Sequence, residues 1–488
     1  MERYPEWLLK YKEKGTAVVK KSDDCYYLYK VHSRWDPTKH RAQKVTDKYL
    51  GKVTPNGFVL PKHEEVIRKI ERGNITVKEY GATHFLMESN NDLIELLKKY
   101  FPDSWREIFV FALFRLIRNS PIKNLDFLNS TSFISDTIGA NMNDKVIGQL
   151  LRKLGAERAT ITGFLSNFIS GSGYLAVDLT HVFSLSENIV SSMAGYNSKK
   201  DYAPQVNLLY LFSLTRKTPV YFRTLIGSIS SVSSLTLSIK ESGAKDVVLV
   251  GDKGFYSEAN VADLEKQEVH YILPLKRDSS LINYDVLRSG DARLFTDHFV
   301  FERRAIHYHS YDIGNRRVLI FLDDKLKAEE MKDALVRLEK EKEETGNDDK
   351  EQFYNATHRM GTIAVTTDLK TRDEKVINGK EVYSFLKQRV NIEQLYDTFK
   401  NTLEADRSYM RDDYQLEGWM FINFIAILLY YKLYNLLVDK DALNKYSIKD
   451  VLLHLERIQK LRIGDKWITA EIPKKTRTLL EKLDVHIT

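Results

Sequence analysis

Cysteine is almost missing from this chain: Cys25 is the only one among 488 residues. No intrachain disulfide can form, and zinc ribbons and other cysteine-rich metal sites are excluded. A reducing cytoplasm is the expected setting. Also missing is any G-x-x-x-x-G-K-S/T loop, so ATP-driven chemistry has no visible support. The first residues, MERYPEWLLKYKEKG, mix charges with aromatics and lack the unbroken apolar run of a signal peptide. An excess of acid is lacking too: 74 Lys and Arg face 67 Asp and Glu, a net charge of +7 that favours a polyanionic partner. One long apolar run exists, Trp419 to Val438, about the length of a bilayer span. Asn423, Lys432 and Asn435 interrupt it and no second candidate accompanies it, so a buried core helix is expected and no membrane contact.

With 43% hydrophobic residues, the chain can bury a substantial core. Its length suggests several units at roughly 150 residues per domain. Residues 1–75 carry short strand-like runs such as CYYLYKVHS, and a small β-rich module is predicted. Residues 76–168 turn helical, with apolar positions recurring at three and four in WREIFVFALFRLIRN. From 169 to 275 three strand-like runs are followed by alternating helices and strands, the order of an RNase H-like α/β core. Residues 276–380 interrupt this core as a β-rich insertion, which includes a charged run from Lys325 to Gln352 read as solvated helix and loop. The core resumes over 381–437, and 438–488 is expected to be a helical C-terminal region. His307 and His309 form an H-x-H on one strand and read as an exposed strand face rather than a zinc site. Trp419 and Tyr196 are assigned to core packing rather than to stacking on bases.

Three carboxylates carry the chemical signal. In YLAVDLTHVFS, Asp178 interrupts an apolar strand, where an unpaired carboxylate is costly. In DVVLVGDKGFYS, Asp252 ends an apolar strand at the carboxyl edge of the sheet, where such folds build their sites. Each alone reads equally well as a capping or turn aspartate. In YSFLKQRVNIEQLYDTFKN, Arg389, Glu393 and Lys400 stand four and seven residues apart, on one face of a helix. That stripe alone also suits an exposed ion pair.

Taken together, these elements resemble the DDE-class bacterial insertion-sequence transposases, whose glutamate helix carries Y-x2-R-x3-E-x6-K. Arg389, Glu393 and Lys400 match three of its positions, and Leu386 stands where the tyrosine is expected, with Tyr383 about one turn earlier as its substitute. Asp252, Gly254 and Phe255 match D-x-G-F/Y, and Thr180 follows Asp178 at the expected distance. The resemblance covers about Gly173 to Leu437. It implies that Asp178, Asp252 and Glu393 are the catalytic residues and hold two Mg²⁺ ions, with Mn²⁺ able to substitute. Arg389, Lys400, Lys253 and Tyr383 would contact DNA. The implied activity is binding of terminal inverted repeats, cleavage at the element ends and joining of the freed 3′-OH to target DNA, by a homodimer on paired ends in a bacterial or archaeal cytoplasm. Lys20, Lys21, Arg41 and Lys44 are candidate phosphate contacts in the N-terminal module. An RNase H-like nuclease that does not join strands, and a non-catalytic DNA-binding regulator, are the alternatives.

Overall fold

The computed structural model describes residues 4–22, 24–62, 64, 75–196, 202–227, 233–243, 247–345, 350–369 and 377–487. Part of the expected charged loop, 346–349, and parts of the N-terminal module lie outside them. The described chain forms two compact units: residues up to Gly81 with Glu456–Arg477, and Ala82–Leu455 with Thr478–Ile487. The boundaries of these units cut across two of the six segments anticipated from sequence: 438–488 is shared between them, and 76–81 goes with the N-terminal module.

In the first unit, β1 (Thr16–Ser22), β2 (Cys25–Asp36), β3 (Arg41–Thr54) and β4 (Gly57–Val59) form an antiparallel meander. Alternating residues of β2 send Tyr26 and Leu28 inward, where they pack with Leu8 and Val53 into a small core. A second sheet pairs β5 (Ile75–Glu79) with a hairpin of Gln459–Ile463 and Lys466–Thr469. The C-terminal region is therefore not wholly helical. KLRI and KWIT alternate around Gly464, whose φ of +64° a side-chain-bearing residue rarely adopts, and this hairpin signal outweighs helical propensity.

The second unit is built on one large mixed sheet. At its centre, β6 (Tyr174–Ser184) pairs antiparallel with β8 (Tyr202–Ser213), and β8 pairs antiparallel with both β7 (Met193–Tyr196) and β9 (Thr218–Ile226). On the other side of β6 lies the parallel strand β10 (Val248–Val250), followed by the parallel β11 (His270–Leu275). Strands β12 (Asp297–Phe301), β13 (Arg304–Ile313), β14 (Arg316–Asp323) and β15 (Thr362–Thr367) extend the sheet beyond β11, with β15 antiparallel to β11. The segment expected to interrupt the core as an insertion thus continues the same sheet. A short strand β16 (Arg407–Ser408) runs parallel to the end of β6.

Helices α1 (Trp105–Arg118), α2 (Asp144–Ala156) and α3 (Arg158–Ile169) precede the sheet. The long apolar segment forms a helix, Asp413–Asp439, that packs against α1, α2 and β9. Its backbone meets that of α2 closely: a Cβ on Gly418 would lie 2.1 Å from the Leu151 carbonyl oxygen, and one on Gly155 would collide with that of Tyr414. Only glycine permits this crossing. The helix's fully buried amide is engaged inside the fold. The buried Asn423 accepts a hydrogen bond from Arg115 Nε at 3.1 Å and donates to the Trp419 carbonyl at 2.9 Å. By length and composition this helix would cross a membrane, but about two-thirds of its most apolar stretch is buried in the protein.

Candidate active site

Asp178 sits in the middle of β6, between the buried Val177 and the half-buried Leu179. On the neighbouring parallel strand, Tyr174 pairs with Val248, an offset of 74 residues. The same offset separates the two aspartates (252 − 178 = 74). Asp252, two residues past the last ladder pair of Val250 with Ala176, therefore leaves β10 toward the level of Asp178. Chain direction explains the convergence, because parallel strands in register carry equivalent residues to the same height. Gly251 permits the exit from β10: a Cβ there would lie 2.7 Å from Leu273 Cδ2.

Glu393 arrives from a helix laid across this face. It begins as α4 (Gly379–Gln388), started by a capping box in which the Asn378 side chain accepts from the Glu381 backbone N–H and Glu381 accepts in return. It continues through Arg389 as α5 (Val390–Asp397). Phe385, Arg389, Glu393 and Tyr396 fall at spacings of four, four and three, one helix face. Each touches β6 or a group beside it. Phe385 stacks on Tyr174 with ring centroids 3.5 Å apart. The buried Tyr396 donates its hydroxyl hydrogen to the Asp178 carbonyl at 2.5 Å, which ties the helix to the strand at the height of Asp178.

Arg389 joins the three carboxylates. Its guanidinium lies 3.6 Å from Asp178 Oδ2, 3.8 Å from Asp252 Oδ1 and 2.9 Å from Glu393 Oε1. Only the last is a hydrogen bond, and the buried Nη1 has no hydrogen-bond partner. A guanidinium with an orphaned donor among three carboxylates marks a place built for positive charge rather than a saturated salt bridge. Asp178 shows the strain of the arrangement. Burial pushes its carboxyl from the ordinary 3.8 up to about 6, and the charges of Asp252 and Glu393 push the same way. The Leu179 backbone N–H and Arg389 offset this only in part.

The other expected site residues are distributed unevenly. Lys253 is exposed beside Asp252, to which its backbone N–H donates at 2.7 Å. Lys400 is half-buried in a π-helical turn, Thr398–Thr402, where the wider period departs from the uninterrupted α-helix that placed it on the glutamate face. Tyr383 corrects the expectation of a DNA-facing phenol: it is 1% exposed and packs among Phe299, Phe301 and Phe321. Leu386 is half-buried. Sequence reasoning missed Phe385 and Tyr396, although their spacing from Arg389 and Glu393 signals the same face.

A family model described as the transposase DDE domain matches residues 180–429, half of the chain. The chain belongs to that family. The match contains Asp252, Arg389 and Glu393, and Asp178 stands two residues before it. No curated protein matches this transposase-family chain. Among solved structures, a piggyBac transposase synaptic complex with hairpin DNA is similar at 14% identity, with a TM-score of 0.38, over 72% of this chain and 70% of that one.

DDE transposase domains are in general dependent on divalent metals. Carboxylate oxygens are the hard donors that such cations prefer, and the charge-seeking centre around Arg389 suits them chemically. Among the described residues, no three carboxylate, histidine or cysteine side chains stand close enough to hold one ion as placed. The guanidinium occupies the space between them, so occupancy by metal requires Arg389 to move aside.

Proposed function

We propose that this protein binds the terminal inverted repeats of its own element, cleaves DNA at the element ends and joins the freed 3′-OH to target DNA. The observation that carries this reading is the approach of Asp178, Asp252 and Glu393, from two parallel strands and one helix, to a single half-buried guanidinium, that of Arg389. The strand arrangement supports it. Three antiparallel strands (β6, β8, β9) are followed by two parallel ones (β10, β11) on the far side of the first, an order consistent with the RNase H-like core proposed here, with β12–β15 continuing the sheet.

In this reading Asp178, Asp252 and Glu393 hold two Mg²⁺ ions, with Mn²⁺ able to replace them. Bound metal supplies Lewis acidity and an activated water or 3′-OH for phosphodiester chemistry. The chain's residues supply the positioning. The Tyr396 hydroxyl holds the strand carbonyl of Asp178, which anchors the glutamate helix to the strand at that residue. Asp252 is fixed at its neighbour's height by the strand register. Arg389, displaced from the carboxylates, remains within reach of a phosphate that carries the charge it loses, and Lys253 stands exposed at the same edge. A homodimer on paired ends follows from the need to process two ends together.

The direct test is Asp252→Ala. Metal-dependent cleavage of a duplex carrying the element end is expected to fall below detection, with binding to the same duplex retained within about twofold. Cleavage at the wild-type rate would defeat the site assignment. Cleavage without joining by the wild-type protein would favour a simple nuclease.

A further inference from the structure

The β2–β3 hairpin projects beyond its sheet. β1 pairs with β2 only from Cys25 to Lys30, and β4 pairs with β3 only from Lys52 to Thr54. From His32 to Asp36 and from Arg41 to Val45 the two strands pair solely with each other among the described residues. Five residues per strand at about 3.4 Å each make a ribbon roughly 17 Å long before its turn. Nearly every residue on both of its faces is exposed.

The composition of this ribbon is one-sided. Residues 32–45 carry Arg34, Lys39, Arg41 and Lys44 against one carboxylate, Asp36. That carboxylate is consumed by the turn, where it accepts from the Thr38 backbone N–H at 3.0 Å, the Thr38 hydroxyl at 2.6 Å and the Lys39 backbone N–H at 3.3 Å. None of the four cations makes an ion pair or side-chain hydrogen bond with the described residues. Cations on a free strand edge also discourage aggregation, and that alone would account for them. Trp35 decides against so limited a role: it is 62% exposed near the tip, the wrong residue for a ribbon that only needs to stay apart from others.

We propose that the β2–β3 ribbon is a DNA-reading arm that lies in a major groove. The inference rests on the reading of the protein as an end-binding transposase and names the element that would read the end. A major groove about 12 Å wide admits a two-stranded ribbon. Directly paired residues share a face, so the register sets the two faces. Arg34 pairs with Gln43, and Asp36 with Arg41, on one face; Ser33 pairs with Lys44, and Trp35 with Ala42, on the other. The first face carries the side chains that recognise guanine (Arg) and adenine (Gln) edges. The second carries donors suited to phosphate: the Lys44 ammonium, the Ser33 hydroxyl and the Trp35 indole N–H. Arg41 and Lys44, anticipated from sequence as phosphate contacts, both fall on this arm; Lys20 and Lys21 fall on β1.

The test uses the full chain, a short duplex carrying the inverted repeat that flanks its gene, and a scrambled duplex of equal composition. Arg34→Ala/Gln43→Ala is expected to reduce discrimination between the two duplexes about tenfold or more, through lost base contacts. Lys39→Ala/Lys44→Ala is expected to weaken both duplexes alike and to reduce the slope of log affinity against log salt by about 2. Arg34, Lys39 and Lys44 are exposed and Gln43 is half-buried on the free ribbon, so circular dichroism and melting close to wild type are expected of both variants. If wild type binds the end and both variants match it in affinity, discrimination and slope, the arm is overturned and the transposase reading stands. If the variants change self-association instead, in sedimentation without DNA, the occupant is a second copy of this chain and the arm is likewise overturned. If wild type does not distinguish the two duplexes, the end-binding reading itself fails and takes the arm with it.

Discussion

Asp178→Asn isolates the energetic cost built into the candidate site. Burial and two neighbouring carboxylates raise the Asp178 carboxyl to about 6 from an ordinary 3.8. Between those values the folded chain holds a proton that the unfolded chain has released, so stability falls as pH rises through this window. Below about pH 4 both states are protonated and the residue costs nothing. Above about pH 6 the full difference applies, on the order of 3 kcal/mol at 1.36 kcal/mol per tenfold change in proton affinity. The Asp178 side chain is 23% exposed, shielded enough that solvent screening does not erase the effect.

Asparagine keeps the shape and the acceptor for the Leu179 N–H but carries no charge. In metal-free buffer at pH 8 the variant is therefore expected to be more stable than wild type by up to about 3 kcal/mol, and equal to it at pH 4. If the larger unit melts as one, that is roughly 4 °C in melting temperature, measured by scanning calorimetry in a chelator across the pH range. Mg²⁺ should raise the melting temperature of wild type more at pH 8 than at pH 5, and raise that of the variant much less. A variant that melts at or below wild type at pH 8 without metal would refute the argument. Arg389 would then depend on Asp178 more than burial opposes it.

Two further perturbations test the scaffold around the site. Arg158 bridges Glu241 at 2.9 Å and Glu417 at 2.5 Å and donates to the Phe222 carbonyl at 2.8 Å, where α3, β9 and the long apolar helix meet. Arg158→Ala leaves the shielded Glu417 without its ion-pair partner, while Glu241 keeps Arg223, and is expected to destabilise by about 3–5 kcal/mol in urea unfolding; a loss under 1 kcal/mol would show that water reaches the cluster. Tyr396→Phe removes the hydroxyl from the Asp178 carbonyl and is expected to cost about 1–2 kcal/mol of stability. It should slow cleavage while leaving end binding unchanged, and an unchanged cleavage rate would remove Tyr396 from its positioning role.

Those outcomes bear on what the amino-acid pattern could reveal and what only the fold supplies. Asp178 and Asp252 were legible because a carboxylate in an apolar strand is costly, and their 74-residue separation proved to be the register offset of two parallel strands. That equality needs the ladder to be known. The strands after Lys276 were legible as strands, but their joining to β11 was not, because edge pairing is non-local and leaves no local pattern.

The helix shows the sharpest contrast between spacing and facing. At roughly 100° per residue, Phe385 and Glu393 lie about 40° from Arg389 and Tyr396 about 20°, whereas Tyr383, six residues away, lies about 120° off. Being one turn from the expected tyrosine therefore carried Tyr383 to another face, where Phe299, Phe301 and Phe321 bury it. The aromatic groups that reach β6 are the ones the helical period selects. Phe385 on Tyr174 and Tyr396 on the Asp178 carbonyl bracket the arginine and glutamate between two fixed points. A helix pinned on both sides of Glu393 can release Arg389 from the carboxylates by side-chain rotation alone, without moving the glutamate.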